Sequence, residues 1–317
     1  MGGMKQIKAA VVQAAPVPVA VTYGLERMAR QLRDALDTGA RMIAFGETFL
    51  GGYPIWLDEA PGAALWDQRG AQALHGLLLD EALRADDQRL EPIQALVDAA
   101  GAYVSVGVHE RVRSSLKNTQ MLLRPHLPPV KHRKLVPTHG ERLIWARGDG
   151  STLTTTDAGW GTIGQAICWE HWMPLVRATL HHAGEAVHVA AWPTVRDVHI
   201  LASRHYAFEG RCFVLAAGTV QTRDQVIEGL ARAGGDADAE ALLKAMPEGL
   251  LQHGGSAIVA PNADVLALAG DGEEIITADL DLTAIGRGLA ALDVDGHYSR
   301  PDIFELRVDR REQNGVV

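Results

Sequence analysis

Short, almost purely apolar runs that alternate with amphipathic stretches constrain this chain more than any other feature. "IKAAVVQAA" (7–15) reads as a strand that stops before Pro16. Val21, Leu25, Met28, Leu32 and Leu36 then recur at helical spacing, which predicts an amphipathic helix to about Asp37. Gly39 ends it, and "RMIAFGE" (41–47) follows as a second buried strand. This is a βαβ opening, so the expected fold class is α/β. Residues 71–100 read as helical with Gly101 as a stop, followed by "YVSVGVHERV" and "NTQMLLR" as a pair of strands. "STLTTT" and "TIGQAIC" read as a second pair, and "PLVRATLHHAG" as a helix with Pro174 in its first turn. "AVHVAAW", "HILASRHYAFEG" and "CFVLAAG" then read as strand, helix and strand. A polar helical stretch from Arg223 to Leu250 precedes "SAIVAPN", "DVLALAG" and "EIITADLDL". Inside it, "ARAGGDADAEALLKA" reads as a solvated surface helix after a Gly-Gly turn. No Pro/Gly/Ser linker and no repeat of fixed period divides the chain. Residues 1–317 are therefore read as one domain, with a short C-terminal tail from about residue 307.

Composition excludes several classes. With 317 residues, 47% of them hydrophobic, the chain can bury a large core. The net charge is −9 and the basic residues are scattered, so neither nucleic acid nor an acidic membrane surface is an expected partner. No apolar run reaches the ~20 residues of a membrane span. Two cysteines, Cys168 and Cys212, cannot build a disulfide framework, which points to a reducing compartment. "MGGMKQIKAAVVQAAP" has no leader pattern, and "MGGMKQ" lacks the Ser or Thr of a myristoylation motif. The expected location is cytoplasmic.

Four residues draw attention because they are costly to bury. Glu47 follows "MIAFG", Cys168 ends "TIGQAIC", and Lys134 and Glu141 lie in "KHRKLVPTHGER". Each has a bland reading alone: a helix-capping acid, an inert core thiol, a solvated basic run, a surface acid. Together they supply three roles. A thiol nucleophile needs a base or a cationic setting, an acid–base group must lie within hydrogen-bond reach, and a positive group helps where negative charge develops. Glu47 and Cys168 also sit at strand C-terminal ends, where sites form in α/β sheets. Cys212, inside "RCFVLAAG", stays with the core reading.

The chain resembles the nitrilase superfamily of carbon–nitrogen hydrolases, within it the true nitrilase branch. The stretches that carry the resemblance are "FGETFLGGYPIW" (45–56), "KHRKLVPTHGERLIWARGDGSTL" (131–153), "GTIGQAICWEHWMPLVR" (161–177), "SRHYAFEGRCFVLAAG" (203–218) and "GHYSRPDIFEL" (296–306). The resemblance implies a single-domain four-layer α-β-β-α sandwich. It implies Glu47 as general base, Lys134 as cationic stabiliser, Cys168 as nucleophile and Glu141 as a supporting glutamate. The implied reaction is hydrolysis of an organic nitrile by water to the acid and ammonia, through a thioimidate and a thioester on Cys168, with no cofactor and no metal. The same residues are suited to amides, to carbamoyl groups or to hydrating cyanide, and a binding module without activity is a third class. Tyr53, Trp145, Trp172 and Trp192 are the aromatic candidates for substrate contact, Trp169 joins them through its backbone N–H, and His171 as a shaper of the pocket. "SLKNTQ" carries Lys117 where the family usually has an aromatic, a change expected to affect packing near Asn118. The short stretch after "RPDIFEL" leaves a homodimer or larger homo-oligomer expected rather than a spiral.

Three other readings are weighed against this one. "GWGTIG" (159–164) matches a dinucleotide-binding pattern, but it runs into a strand rather than a helix and so reads as a hairpin turn. Among 13 histidines, His181 and His182 are adjacent on a helix and point apart, and His199 and His205 lack the spacing of a helical metal pair. His171, three residues after Cys168, is the rival base.

Overall fold

β1 (Gln6–Gln13) is apolar on both faces: Ile7, Ala9 and Val11 point one way, Ala10 and Val12 the other, and all five are buried. Such a strand needs cover on both sides. The computed structural model, which describes residues 6–313, supplies it with two six-stranded sheets stacked face to face and helices outside each. The readings made on "MGGMKQ" rest mainly on residues 1–5 and lie outside the described residues.

The first half of the chain runs α1 (Val21–Asp37), β2 (Met42–Phe45), α2 (Trp56–Glu59), α3 (Arg69–Glu81), α4 (Glu91–Ala100), β3 (Tyr103–Val112), β4 (Ser115–Arg124) and β5 (Leu127–Arg133). The second half runs β6 (Thr156–Asp157), β7 (Thr162–Ile167), α5 (Pro174–His182), β8 (Val187–Ala191), α6 (Asp197–Gly210), β9 (Phe213–Ala217) and β10 (Val220–Thr222). It continues with α7 (Arg223–Arg232), α8 (Ala237–Lys244), β11 (Leu250–His253), β12 (Ala257–Val259), β13 (Val265–Leu268), β14 (Glu274–Asp281) and α9 (Thr283–Leu289). The sheet orders are β14-β1-β2-β3-β4-β5 and β13-β12-β9-β8-β7-β6, with β10 and β11 paired separately. Three parallel strands form the middle of each sheet, β1-β2-β3 and β7-β8-β9, and their outer neighbours are antiparallel.

The layers follow from the side-chain alternation. Ala9, Val11, Met42 and Ala44 meet Val187, Val189, Phe213 and Leu215 between the sheets. On the outside of the first sheet, Met28 and Leu32 of α1 and Ile93 and Val97 of α4 pack on Ala10, Ile43 and Val104. On the outside of the second, Ala202 and Tyr206 of α6 pack on Ala190 and Val214, while Val176 and Leu180 of α5 pack on Ala166. The fold is the four-layer α-β-β-α sandwich in one domain. A buried polar clasp joins the sheets: Gln120 Nε2 donates to Ser105 Oγ (2.9 Å), Ser105 Oγ to Gln165 Oε1 (3.0 Å), and Gln165 Nε2 to the Gln120 carbonyl (2.9 Å). Among the described residues, no helix is long and apolar enough to cross a membrane.

Four local expectations are corrected. The helix read over 71–100 breaks after Glu81, because Leu83 leaves it to hydrogen-bond the edge of β3 at His109 and Arg111. "STLTTT" is mostly not a strand; Asp149 accepts from the Ser151 amide and winds residues 150–152 into a 3₁₀ turn, so β6 begins only at Thr156. The helical stretch from Arg223 to Leu250 is two helices, α7 and α8, separated at Gly234-Gly235, with Leu250 already in β11. α8 is no solvated helix either: Ala239, Leu242 and Leu243 are buried in the cluster that also holds Leu74 and Leu78 of α3. "GWGTIG" does lie at the β6–β7 hairpin.

Candidate active site

The site is built where β2 and β7 end. β2 stops at Phe45, and the Glu47 amide donates to the Trp192 carbonyl at 3.1 Å, which ties the end of one sheet to the other. β3 passes so close beneath that a Cβ on Gly107 would lie 2.1 Å from the Thr48 amide nitrogen, so only glycine fits there. Lys134 follows β5 and is fixed by its backbone: its amide donates to the Asn118 carbonyl, and its carbonyl accepts from Gly148, both at 2.8 Å. Glu141 sits in the 3₁₀ turn His139–Leu143, where one of its carboxylate oxygens accepts from the Thr138 amide at 2.8 Å in a capping box.

Cys168 opens a second 3₁₀ turn, Cys168–Trp172, directly after β7. Its φ is +54°, a left-handed conformation that costs a non-glycine residue of order 1–3 kcal/mol unless its surroundings hold it. The surroundings do. Glu170 accepts from the Ile167 amide (2.7 Å) and the Leu135 amide (2.8 Å), joining the turn to the segment after Lys134. His132 sits 2.8 Å from Glu170; burial acts to raise the Glu170 pKa, but His132 and these hydrogen bonds bring it below its ordinary value.

The side chains converge. Lys134 Nζ donates to Glu47 Oε1 (2.9 Å) and to Glu141 Oε1 (2.9 Å) and Oε2 (2.7 Å), which uses the three N–H bonds of an ammonium. Asn118 Nδ2 donates to the same Glu47 oxygen at 2.7 Å. The other oxygen, Oε2, is buried without a hydrogen-bond partner among the described residues. One oxygen of each glutamate and Cys168 Sγ all lie within 4.8 Å of one another. Two carboxylates and a thiol at that spacing resemble a metal site, but an ammonium bonded to both carboxylates already holds the cation position.

With two carboxylates facing one ammonium, the cluster has an excess of negative charge in a dry place. Burial and the charge of Glu141 raise the Glu47 pKa to about 7 against the pull of Lys134. Burial also pushes the Cys168 thiol well up, with Lys134 opposing and the two glutamates adding to the rise. Burial acts to lower the Lys134 pKa, but Cys168, Glu47 and Glu141 outweigh it and keep the ammonium charged. The resting site is thus a thiol beside a carboxylate with its proton affinity tuned near neutrality, the property of an acid–base group at work around pH 7.

A cleft of about 230 Å³ opens onto the thiol, walled by Tyr53, Ile55, Asp58, Trp169, Thr194 and His199. Of the residues singled out in the sequence, Glu47, Lys134, Glu141 and Cys168 are brought together, and Tyr53 and Trp169 line the cleft. Trp145, Trp172, Trp192 and His171 stand outside its lining. Trp192 is fully buried, its ring 4.7 Å from His171 and 4.5 Å from His199. Trp145 lies behind Tyr53 and donates to His109 Nδ1 at 3.1 Å. Trp172 packs in the cluster beneath α6. His171 is buried on the far side of the Cys168 backbone, bonded to its carbonyl at 2.7 Å rather than to its sulfur. Asn118 at the cluster and Ile55, Asp58, Thr194 and His199 in the wall are site residues that sequence reasoning missed. Asn118 sits beside the flagged Lys117, while His199 comes seven residues after Trp192 with only its place just beyond a strand end to mark it.

Tyr53 offers a mild test of this wall. Its hydroxyl donates to Glu141 Oε1 at 3.2 Å. Tyr53→Phe removes one hydrogen bond to a charged group, an expected loss of roughly 1.5–3 kcal/mol if the bond is fully formed and less at this length. A fall in kcat/KM of about tenfold, with folding stability lowered by no more than that loss, is the expected measurement.

A four-layer sandwich with a thiol, an ammonium and two carboxylates gathered at the joined ends of its two sheets has the groups that nucleophilic hydrolysis needs. Comparison with known proteins agrees: the carbon-nitrogen hydrolase family matches residues 8–288, and the chain belongs to that family. It is 39% identical over 311 residues to a nitrilase of Bradyrhizobium diazoefficiens, covering 98% of this chain and 94% of that one. It is 38% identical over 315 residues to an aliphatic nitrilase of Sinorhizobium fredii, covering 99% of each. Among solved structures, a carbon-nitrogen hydrolase from Helicobacter pylori superposes with a TM-score of 0.69 at 16% identity, covering 95% of this chain and 97% of that one, a likeness of fold.

Proposed function

We propose that this protein is a nitrilase that converts an organic nitrile and two waters to the carboxylic acid and ammonia. The observation that carries the proposal is the buried cluster in which Cys168 Sγ lies within 4.8 Å of carboxylate oxygens of Glu47 and Glu141, with Lys134 bonded to both carboxylates. The near-full-length similarity to two nitrilases supports the choice of nitriles.

In this mechanism Glu47 takes the proton of Cys168 and the thiolate attacks the nitrile carbon. Negative charge develops on nitrogen, where Lys134 and the Trp169 backbone N–H stabilise it in a site with little water. Glu47 returns the proton to nitrogen, giving a thioimidate. A water activated by Glu47 adds to that carbon, the C–N bond breaks with release of ammonia, and a thioester remains. A second water, again deprotonated by Glu47, releases the acid and restores the thiol. Glu141 holds Lys134 in place. Each step is a proton transfer or an addition–elimination, so the residues present account for it.

Mass spectrometry of the protein mixed with aryl and aliphatic nitriles, with matched amides in parallel, tests the proposal. An adduct on Cys168 and free ammonia from a nitrile, both absent in Cys168→Ala, are expected. Ammonia from amides alone would make the protein an amidase, and formamide as the sole product from cyanide would make it a cyanide hydratase.

The proposal extends to a cytoplasmic homodimer or larger homo-oligomer. Free thiols at Cys168 and Cys212 support the compartment. An exposed apolar strip on α5 and α6, with Leu175, Leu201 and Phe208, supports association.

A further inference from the structure

Behind Cys168 lies a line of buried ionisable groups that the reaction above does not use. His171 Nδ1 is 2.7 Å from the Cys168 carbonyl, His171 Nε2 is 3.0 Å from His188 Nε2, and His188 Nδ1 is 2.8 Å from Glu185 Oε1. Tyr206 donates its hydroxyl to Glu185 Oε2 at 2.6 Å. His171, His188 and Tyr206 are at most 1% exposed and Glu185 3%. The backbone makes room for the line. Gly164 pairs with His188 across β7 and β8, and a Cβ on it would fall 1.3 Å from Glu185 Oε1.

The donors along this line run in one direction. A carbonyl only accepts, so His171 Nδ1 carries its hydrogen. With His171 neutral, its Nε2 must accept, and His188 Nε2 must donate. With His188 neutral, its Nδ1 must accept, so Glu185 supplies the proton as a carboxylic acid. Burial favours this assignment at each member: it lowers the His171 pKa to about 3, lowers that of His188 well below its ordinary value and raises that of Glu185 to about 7. The end of the line is mechanically important. The carbonyl of Cys168 and the N–H of Trp169 belong to one planar peptide and point in opposite directions. Fixing the carbonyl toward His171 fixes the N–H on the opposite side, where its positive end favours negative charge at the Cys168 sulfur.

We propose that Glu185, His188 and His171 are positioning residues whose one-way hydrogen bonds lock the Cys168–Trp169 peptide with its N–H turned toward the reacting atoms. The proposal rests on Cys168 being the nucleophile. Because the N–H acts on charge that exists only during reaction, loosening the peptide lowers kcat and leaves KM nearly unchanged.

The experiment compares Glu185→Leu and Glu185→Gln in the full-length protein. The leucine variant removes the proton donor and is expected to lose roughly tenfold to a hundredfold in kcat and in the rate of adduct formation on Cys168. Glutamine donates through its amide N–H to His188 and accepts from Tyr206, so it should recover most of that loss. A general packing defect would move KM and would not be rescued by glutamine. In parallel, ¹⁵N resonances of labelled histidines in the resting protein should show His171 protonated at Nδ1 and His188 at Nε2. Wild-type kcat in the leucine variant, glutamine no better than leucine, or a doubly protonated His188 at neutral pH would each overturn the proposal. If the leucine variant does not fold, the glutamine variant and the resonances decide. Failure of every nitrile to react with wild-type protein would overturn the nitrilase reading alone, since the resonances need no substrate.

Discussion

A Glu47→Gln protein is expected to bind nitrile normally and to form the Cys168 adduct about 10²–10⁴-fold more slowly, the usual range for losing a positioned proton acceptor. Glutamine keeps the shape and can still accept from Asn118, but it cannot take a proton. The pH profile provides a second readout. Glu47 must be ionised to accept the thiol proton, and burial raises its pKa to about 7, so wild-type kcat/KM should fall as pH drops through about 7. That limb should vanish in the variant; its persistence would assign the base elsewhere. His171→Ala, which loosens a backbone carbonyl rather than removing the base, should retain the limb. Stability runs the other way at this residue. Its folded pKa lies above the ordinary value of 4.5, so its stabilising contribution is complete below about 4.5 and is lost as pH rises through about 7. The pH at which the carboxylate works is therefore the pH at which it contributes least to the fold, and Glu47→Gln should flatten stability between those two values.

Lys134→Met should unfold most readily of the variants considered. The ammonium is 1% exposed and bonds both Glu47 and Glu141. Removing it leaves two carboxylates facing each other in a dry site, a situation that costs about 3–5 kcal/mol when one buried partner is deleted. Urea denaturation should show the deficit at pH 8 and show it shrinking on acidification, as the carboxylates take up protons. Adding Glu47→Gln and Glu141→Gln to Lys134→Met should restore much of the stability and none of the turnover. A Lys134→Met protein as stable and as active as wild type would remove the ammonium from any part in either.

The alternation of strands and helices was legible in the residues themselves, whereas the four-layer sandwich followed only from the resemblance to a known family. Apolar runs such as "AVHVAAW" and "CFVLAAG" state their own burial, because an inner strand of a covered sheet has two apolar faces. Edges are harder to read. β5, "LPPVKHR", was missed because its two prolines suggest a turn, yet an edge strand tolerates prolines that a central strand would not. The break after Glu81 was hidden because helix periodicity carries no information about a strand edge waiting to bond Leu83. At the site, Glu47 and Cys168 stood out because charge and sulfur at the ends of apolar runs demand an explanation, while Lys134 and Glu141, in the polar segment "KHRKLVPTHGER", were singled out with them chiefly through the family resemblance. The walls did not stand out. Trp192 directly follows β8 and Tyr53 comes eight residues after β2, but Trp192 turns under α6 and Tyr53 turns into the cleft. That choice is made by packing across loops far apart in sequence, the same reason Asn118 and His199 were overlooked.

The burial of the Cys168 thiol also bears on how such an enzyme ages. Cys168 is only 3% exposed, at the foot of a passage flanked by Tyr53 and Trp169. Hydrogen peroxide is small against a cleft of about 230 Å³, whereas a tripeptide such as glutathione would have to bring its sulfur to a thiol that is only 3% exposed. A sulfenic acid formed there would lack the mixed-disulfide cap that makes such damage reversible, and would be left to advance to the sulfinic stage. Walls that shield the Cys168 thiol would also hinder its repair, so activity lost to peroxide should not return on treatment with glutathione.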